Sequence, residues 1–121
     1  MQRKNHKMPL AEFTQKLVEA KLSEYCERRI PVHACNQVKL TYKIVDYKVI
    51  LIEARPYYRD PSIWTENPIA QFRYDKETQK WSLYSTDRND RWHLYDLIKP
   101  SMDFDEMLNA LDNDRTGIFW G

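Results

Sequence analysis

The sequence predicts an α+β fold, in which an N-terminal helix packs on a five-stranded antiparallel meander sheet and a short C-terminal helix follows. Three observations support this prediction. Apolar residues recur at helical spacing after Pro9, five segments typical of strands lie between residues 37 and 97, and a second helical pattern begins near residue 103. Helices segregated from a continuous run of strands are typical of α+β domains.

The first predicted helix covers residues 9–29. Its apolar side chains recur at every third or fourth position from Leu10 to Tyr25, which we interpret as a single buried face. Pro9 suits the first helical turn, and Pro31 cannot continue a helix, so the helix is expected to end just before it.

The strand predictions rest on alternation and on turn residues. Polar and apolar residues alternate over 38–44, which predicts a strand with one solvated face. The almost continuous apolar run at 49–54 predicts a central strand that is buried on both faces. Three short strands over 69–74, 81–86 and 91–97, separated by turn-rich stretches, complete the expected meander.

Two further segments have no strand pattern. Residues 56–68 contain three prolines and three aromatic residues without a period, which predicts an ordered surface loop pinned by Tyr57, Tyr58 or Trp64. After a capping-box-like stretch at 103–106, apolar spacing predicts a second helix of about three turns. The apolar tail at 115–121 is expected to dock on the core.

Composition indicates one domain over residues 9–121, preceded by a flexible basic tail at 1–8 that carries Arg3, Lys4, His6 and Lys7. At 42% hydrophobic residues the chain is too apolar for a disordered protein. The sequence contains only 2 glycines, which excludes a glycine-rich phosphate loop.

Charge and targeting signals restrict the function further. Residues 1–60 hold 12 Lys and Arg against 7 Asp and Glu, whereas residues 61–121 hold 7 against 11, so we expect an electrically polarised molecule. No apolar run approaches the ~20 residues of a membrane helix, and the first residues lack a signal-peptide pattern. We therefore predict a cytoplasmic protein with Cys26 and Cys35 as free thiols.

The leading functional hypothesis concerns one face of the last three strands. If Phe72, Trp81, Trp92 and Leu94 point to the core, alternation places basic and aromatic residues together on the opposite face. Such a face binds single-stranded nucleic acid in other sheet proteins, whereas a solvated or helix-covered face is the structural alternative. The predicted binding residues of this non-enzymatic module are Arg73, Tyr84, Arg91, His93 and Tyr95, together with Trp64.

An alternative hypothesis is a metal-dependent enzyme that acts on nucleic acid or a phosphorylated substrate through Asp46 and Glu53. Clustered carboxylates hold Mg²⁺ in many nucleases, although Arg55 stands where such sites place a lysine. Glu53 and Arg55 also share one strand face, where an ion pair is the structural interpretation. We predict no catalytic residue and leave the enzymatic activity open.

No metal or cofactor is expected. Cys26, His33 and Cys35 are close in sequence, but they lack the two ligand pairs that zinc sites usually show. The partners are less constrained. A protein partner for the basic-aromatic face, and contact with another copy through the acidic C-terminal helix, both remain hypotheses.

Several motifs carry a family resemblance. They are IPVHA near residue 30, WTENPIAQFRY, the W-x-L-Y of residues 81–84, DRNDRWHLYDL and the closing DRTGIFWG. Together they resemble the bacterial domain-of-unknown-function family 3024, over roughly residues 28–121. The resemblance implies one compact bacterial domain, and it supplies no activity, cofactor or functional residue.

Overall fold

A computed structural model of the protein describes residues 10–120. The predicted basic tail at residues 1–8 lies outside this range. The order of elements confirms the predicted fold class, with an N-terminal helix, five strands in one antiparallel sheet and a short C-terminal helix. The elements are α1 (Glu12–Arg29), a 3₁₀ turn (Val32–Ala34), β1 (Lys39–Val45), β2 (Lys48–Tyr57), β3 (Asp60–Asp75), β4 (Lys80–Thr86), β5 (Trp92–Leu94) and α2 (Phe104–Asn113).

The sheet is a meander, because its spatial order β1-β2-β3-β4-β5 follows the chain. Both helices pack on the same side of it, which we call the helix face. Within residues 10–120, no helix is long and apolar enough to cross a membrane. The buried core combines side chains of both helices with one face of the strands, and includes Val18, Leu22, Val49, Leu51, Phe72, Trp81, Leu83, Phe104, Met107 and Leu111.

The apolar stripe of α1 is narrower than the sequence predicts. Val18, Leu22 and Tyr25 are buried, but Phe13 is 78% exposed and Leu17 is also exposed. Phe13 precedes Val18 by five residues, and at 100° per residue this places it about 140° away around the helix axis. Apolar residues three or four positions apart along α1 therefore do not all lie on its buried face.

The second strand confirms the prediction of a strand buried on both faces. Val49 and Leu51 point to the helix face, while Ile52 and Ala54 are buried on the other side of the sheet. Because β2 pairs with β1 and β3, its backbone hydrogen bonds are made on both edges.

The predicted loop at residues 56–68 is wrong. These residues extend β2 and β3 into a two-stranded arm, in which Arg55 pairs with Thr65 and Pro56 with Trp64. The arm extends beyond the last pair of β1, Lys39 with Ala54, so its edges are free. Free edges tolerate proline, which lacks a backbone N–H, and Pro68 lies next to an irregularity in the β2–β3 pairing.

The C-terminal tail docks as predicted, up to Trp120. The Asp114 carboxylate accepts hydrogen bonds from the backbone N–H groups of Phe119 and Trp120, at 3.1 and 2.9 Å. Phe119 is buried against Tyr95, and the Trp120 indole N–H donates to the Leu111 carbonyl at 3.0 Å. The tail therefore closes one end of the core.

Candidate binding face

The sheet face that points away from both helices carries side chains from all five strands, and we call it the open face. Cross-strand partners in an antiparallel pair share a face, so the register assigns each residue to one side. Ile50 pairs with Gln71, Gln71 with Tyr84, and Tyr84 with Leu94. The same alternation places Lys39, Arg73 and Trp92 on the open face.

The register of β5 corrects three predicted site residues. Because Thr86 pairs with Trp92 and Tyr84 with Leu94, these two β5 residues lie on the open face rather than in the core. Arg91, His93 and Tyr95 alternate with these residues. They therefore do not lie on the open face beside Arg73 and Tyr84. Trp92 and Leu94 alternate with His93 and Tyr95, and each of these two sets contains an aromatic side chain that could be buried. Alternation alone therefore could not decide which set faces the core.

Tyr95 belongs to the core. Its ring packs on Phe119 at a centroid distance of 5.0 Å, and only 6% of the residue is exposed. Its hydroxyl oxygen is buried and has no hydrogen-bond partner among residues 10–120. An unpaired buried hydroxyl costs about 1–3 kcal/mol of desolvation.

We therefore expect Tyr95→Phe to leave the stability unchanged or to raise it by up to about 1 kcal/mol. Urea unfolding followed by circular dichroism would measure this difference. A loss of more than about 1 kcal/mol would show that the hydroxyl has a stabilising partner, and Tyr84→Phe serves as a control on the open face.

His93 and Arg91 form a polar cluster with Asp87 at the β4–β5 turn. The Asp87 carboxylate lies 2.7 Å from His93 Nε2 and 3.5 Å from Arg91 Nε, and it accepts from the Arg91 backbone N–H. The hydrogen bond with His93, followed by that with the Arg91 backbone, lowers the pKa of Asp87 to about 2. This cluster shapes the turn and pairs Arg91 with the Asp87 carboxylate.

Arg73 and Tyr84 are the predicted site residues that the structure brings together. The Arg73 guanidinium carbon lies 3.8 Å from the centroid of the Tyr84 ring, a cation–π distance. Arg73 Nε also donates to the side-chain oxygen of Gln71, which is buried. These two contacts hold the guanidinium beside Tyr84 and Gln71, even though Lys48 lies directly opposite Arg73 on β2.

Trp64 occupies the other end of the same face, on the arm. It pairs with Pro56, and the Lys39 ammonium lies 4.0 Å from the centroid of its ring. The sequence identified Trp64 as a contact residue but not Lys39. The contact between them depends on the extension of β3, which the three prolines led us to predict as a loop.

The open face is basic. Its strand positions carry five cations against two carboxylates. Trp92 is half-buried there, and Leu94 is 53% exposed. The face thus combines aromatic side chains with an excess of positive charge, the charged residues being Lys39, Lys43, Lys48, Arg73, Lys80, Glu66 and Asp75.

The structure separates the carboxylates of the enzymatic hypothesis. Asp46 lies in the β1–β2 turn with φ 56°, whereas Glu53 lies near the middle of β2. At ~3.3 Å per residue, their Cα atoms are about 20 Å apart, too far to share a metal ion. Glu53 instead accepts two hydrogen bonds from Arg55, both at 3.2 Å, as the ion-pair interpretation predicts.

The cysteines are both free, Cys26 half-buried on α1 and Cys35 exposed after the 3₁₀ turn. Burial raises the pKa of the Cys26 thiol to about 11, which disfavours its thiolate. In the part of the chain that the structure describes, no three His, Cys, Asp or Glu side chains cluster closely enough to hold a metal ion.

Comparisons with known proteins identify a family but no activity. No curated protein and no solved structure shows significant similarity to the chain. The model of the family described as "Domain of unknown function (DUF3024)" matches residues 10–121, which includes the helices and all five strands. The match covers almost the whole chain, and the protein is therefore a member of the DUF3024 family.

Proposed function

We propose that the protein is a non-enzymatic binding module whose open face binds single-stranded nucleic acid. The observation that carries this proposal is the Arg73 guanidinium, 3.8 Å from the centroid of the Tyr84 ring on a sheet face that neither α1 nor α2 covers. Unpaired bases stack on aromatic rings and on guanidinium planes of this kind.

The charge of the face supports the same ligand. Phosphate groups are attracted by an excess of cations. The five cations of the open face are distributed over four neighbouring strands, β1 to β4. Lys39 and Trp64 repeat the pairing of cation and ring on the arm. A strand lying across the sheet would therefore meet stacking surfaces and phosphate partners in alternation.

The test is the salt dependence of binding, measured by fluorescence anisotropy with labelled single-stranded oligonucleotides. We expect the logarithm of the association constant to fall linearly with the logarithm of the salt concentration. Arg73→Gln should flatten the slope by about 0.7, the value for one phosphate contact on a single strand. Trp92→Leu should weaken binding by about 1–3 kcal/mol with little change in slope, because stacking releases no counterions.

Arg91→Gln is the matched control, because it removes the same charge from the β4–β5 turn, where Arg91 is paired with Asp87. We expect its slope to equal that of the wild type. If no oligonucleotide binds at low salt, the nucleic-acid proposal is wrong, and the open face would then be expected to bind a protein. Equal slopes for Arg73→Gln and Arg91→Gln would place the phosphate contacts elsewhere.

A further inference from the structure

A cavity of about 720 Å³ lies between the C-terminal half of α1 and the start of β1, at the outer edge of the sheet. Cys26 and Ile30 line it from the helix side, and Val38 and Leu40 line it from the strand side. This volume is within the range of ligand sites, and the lining is mainly apolar.

The cavity runs along an unpaired backbone edge. Among residues 10–120, β1 forms its ladder with β2 alone, so within this range its other edge carries unpaired N–H and C=O groups. Four consecutive residues, 38–41, line the cavity. Alternate side chains of a strand point to opposite faces, so consecutive lining residues indicate that the cavity follows the strand edge itself.

A helix beside a free strand edge is the architecture in which domains bind an extended peptide as an additional strand. The edge supplies main-chain hydrogen bonds, and the apolar wall accepts every second side chain of the peptide. The Ser23 and Tyr42 hydroxyls, 3.3 Å apart, bridge α1 and β1 just beyond Thr41. The apolar wall beside α1 therefore spans residues 38–41, while the unpaired edge of β1 continues to Val45.

Charge selects the partner. Lys39 and Lys43 project from β1 on the side away from the helix, both exposed, and Lys43 has only a 4.0 Å contact with Glu66. A second copy of β1 paired antiparallel about Thr41 would bring Lys39 of each copy opposite Lys43 of the other, which is destabilising. Glu27 lines the helix side and disfavours acidic residues there.

We propose that this groove binds an extended peptide segment in which acidic and apolar residues alternate, added as a sixth strand to the free edge of β1. The apolar residues face Cys26, Ile30 and Leu40, and the carboxylates face Lys39 and Lys43. The groove shares Lys39 and Lys43 with the open face but does not involve Arg73 or Tyr84, so the proposal holds whether or not the open face binds nucleic acid.

The probe is a fluorescein-labelled heptapeptide of alternating glutamate and valine, tested by anisotropy against the full-length protein. We expect it to bind, and we expect a version with lysine in place of glutamate to bind at least tenfold more weakly. A version with a central proline should lose roughly tenfold, because it removes a main-chain donor. In amide hydrogen exchange, the bound peptide should protect alternate residues of β1.

Lys39→Glu combined with Lys43→Glu should reverse the preference in favour of the lysine peptide. Arg88→Glu combined with Lys99→Glu makes the same charge change at exposed positions far from β1 and should leave the preference intact. Equal binding of both peptides, or no binding of either, overturns the proposal. So does a dimer in sedimentation whose formation protects the same β1 amides, because the edge would then belong to a second copy.

Discussion

Deletion of residues 116–121 is expected to lower the free energy of unfolding by about 3–5 kcal/mol, which is the cost of losing one large buried aromatic side chain. Phe119 is 6% exposed, and its removal leaves a void beside Tyr95. The deletion also removes the cation–π contact of Arg29 with Trp120, at 4.1 Å, and leaves the Asp114 carboxylate without its two backbone donors.

Thermal unfolding would show this loss as a decrease in Tm of roughly 10–25 °C for a domain of this size. Ile118→Ala is the matched control, because Ile118 is 50% exposed and its truncation should change stability by no more than about 0.5 kcal/mol. A truncated protein that keeps the wild-type Tm would mean that the tail does not belong to the core.

Asp112→Ala is expected to destabilise the protein by about 2–3 kcal/mol. Asp112 Oδ1 accepts a hydrogen bond from the Tyr25 hydroxyl at 2.8 Å and one from Arg29 at 3.2 Å, which ties α2 to α1. Tyr25 is 1% exposed, and burial together with this hydrogen bond raises the pKa of its hydroxyl. Loss of the carboxylate therefore leaves the buried Tyr25 hydroxyl without a hydrogen-bond partner, so its desolvation is no longer compensated and the folded state is destabilised.

A double-mutant cycle with Tyr25→Phe isolates this hydrogen bond. In the Tyr25→Phe background, Asp112→Ala should cost only about 1 kcal/mol, because the ion pairs with Arg28 and Arg29 are partly exposed. Asp105→Ala, which removes a more exposed ion pair with Lys21, provides the comparison and should cost no more than about 1 kcal/mol. Additive effects of the Tyr25 and Asp112 substitutions would contradict the proposed coupling.

Alternation predicted the strands that have one polar and one apolar face. In β1, Leu40 and Tyr42 face the helices, whereas Lys39, Thr41 and Lys43 are exposed on the open face. In β4, Trp81 and Leu83 are buried as expected. Alternation failed over residues 92–95, where Trp92 and Leu94 were expected in the core but the pairing with β4 places them on the open face, and Tyr95 is buried instead. Three of the six predicted binding residues depended on the direction of these side chains.

The arm shows a second kind of failure. Three prolines between residues 56 and 68 argue against a strand in the interior of a sheet, where each backbone N–H is needed. The arm is a strand pair with free edges, so its prolines cost few hydrogen bonds. Whether a strand has neighbours on both sides is a property of the whole sheet, and the local sequence of the strand does not determine it.

The sequence by itself determined the order of the helices and strands, the antiparallel meander and most of the buried face of the sheet. It could do so because helix ends, turns and period-two alternation depend on residues close together in the chain. Only the tertiary structure decided which cation stacks on which ring, which β5 residues reach the open face, and how α1 and the free edge of β1 enclose a groove. Those relations join residues such as Arg73 and Tyr84, or Lys39 and Trp64, that are far apart in sequence and meet only through strand register.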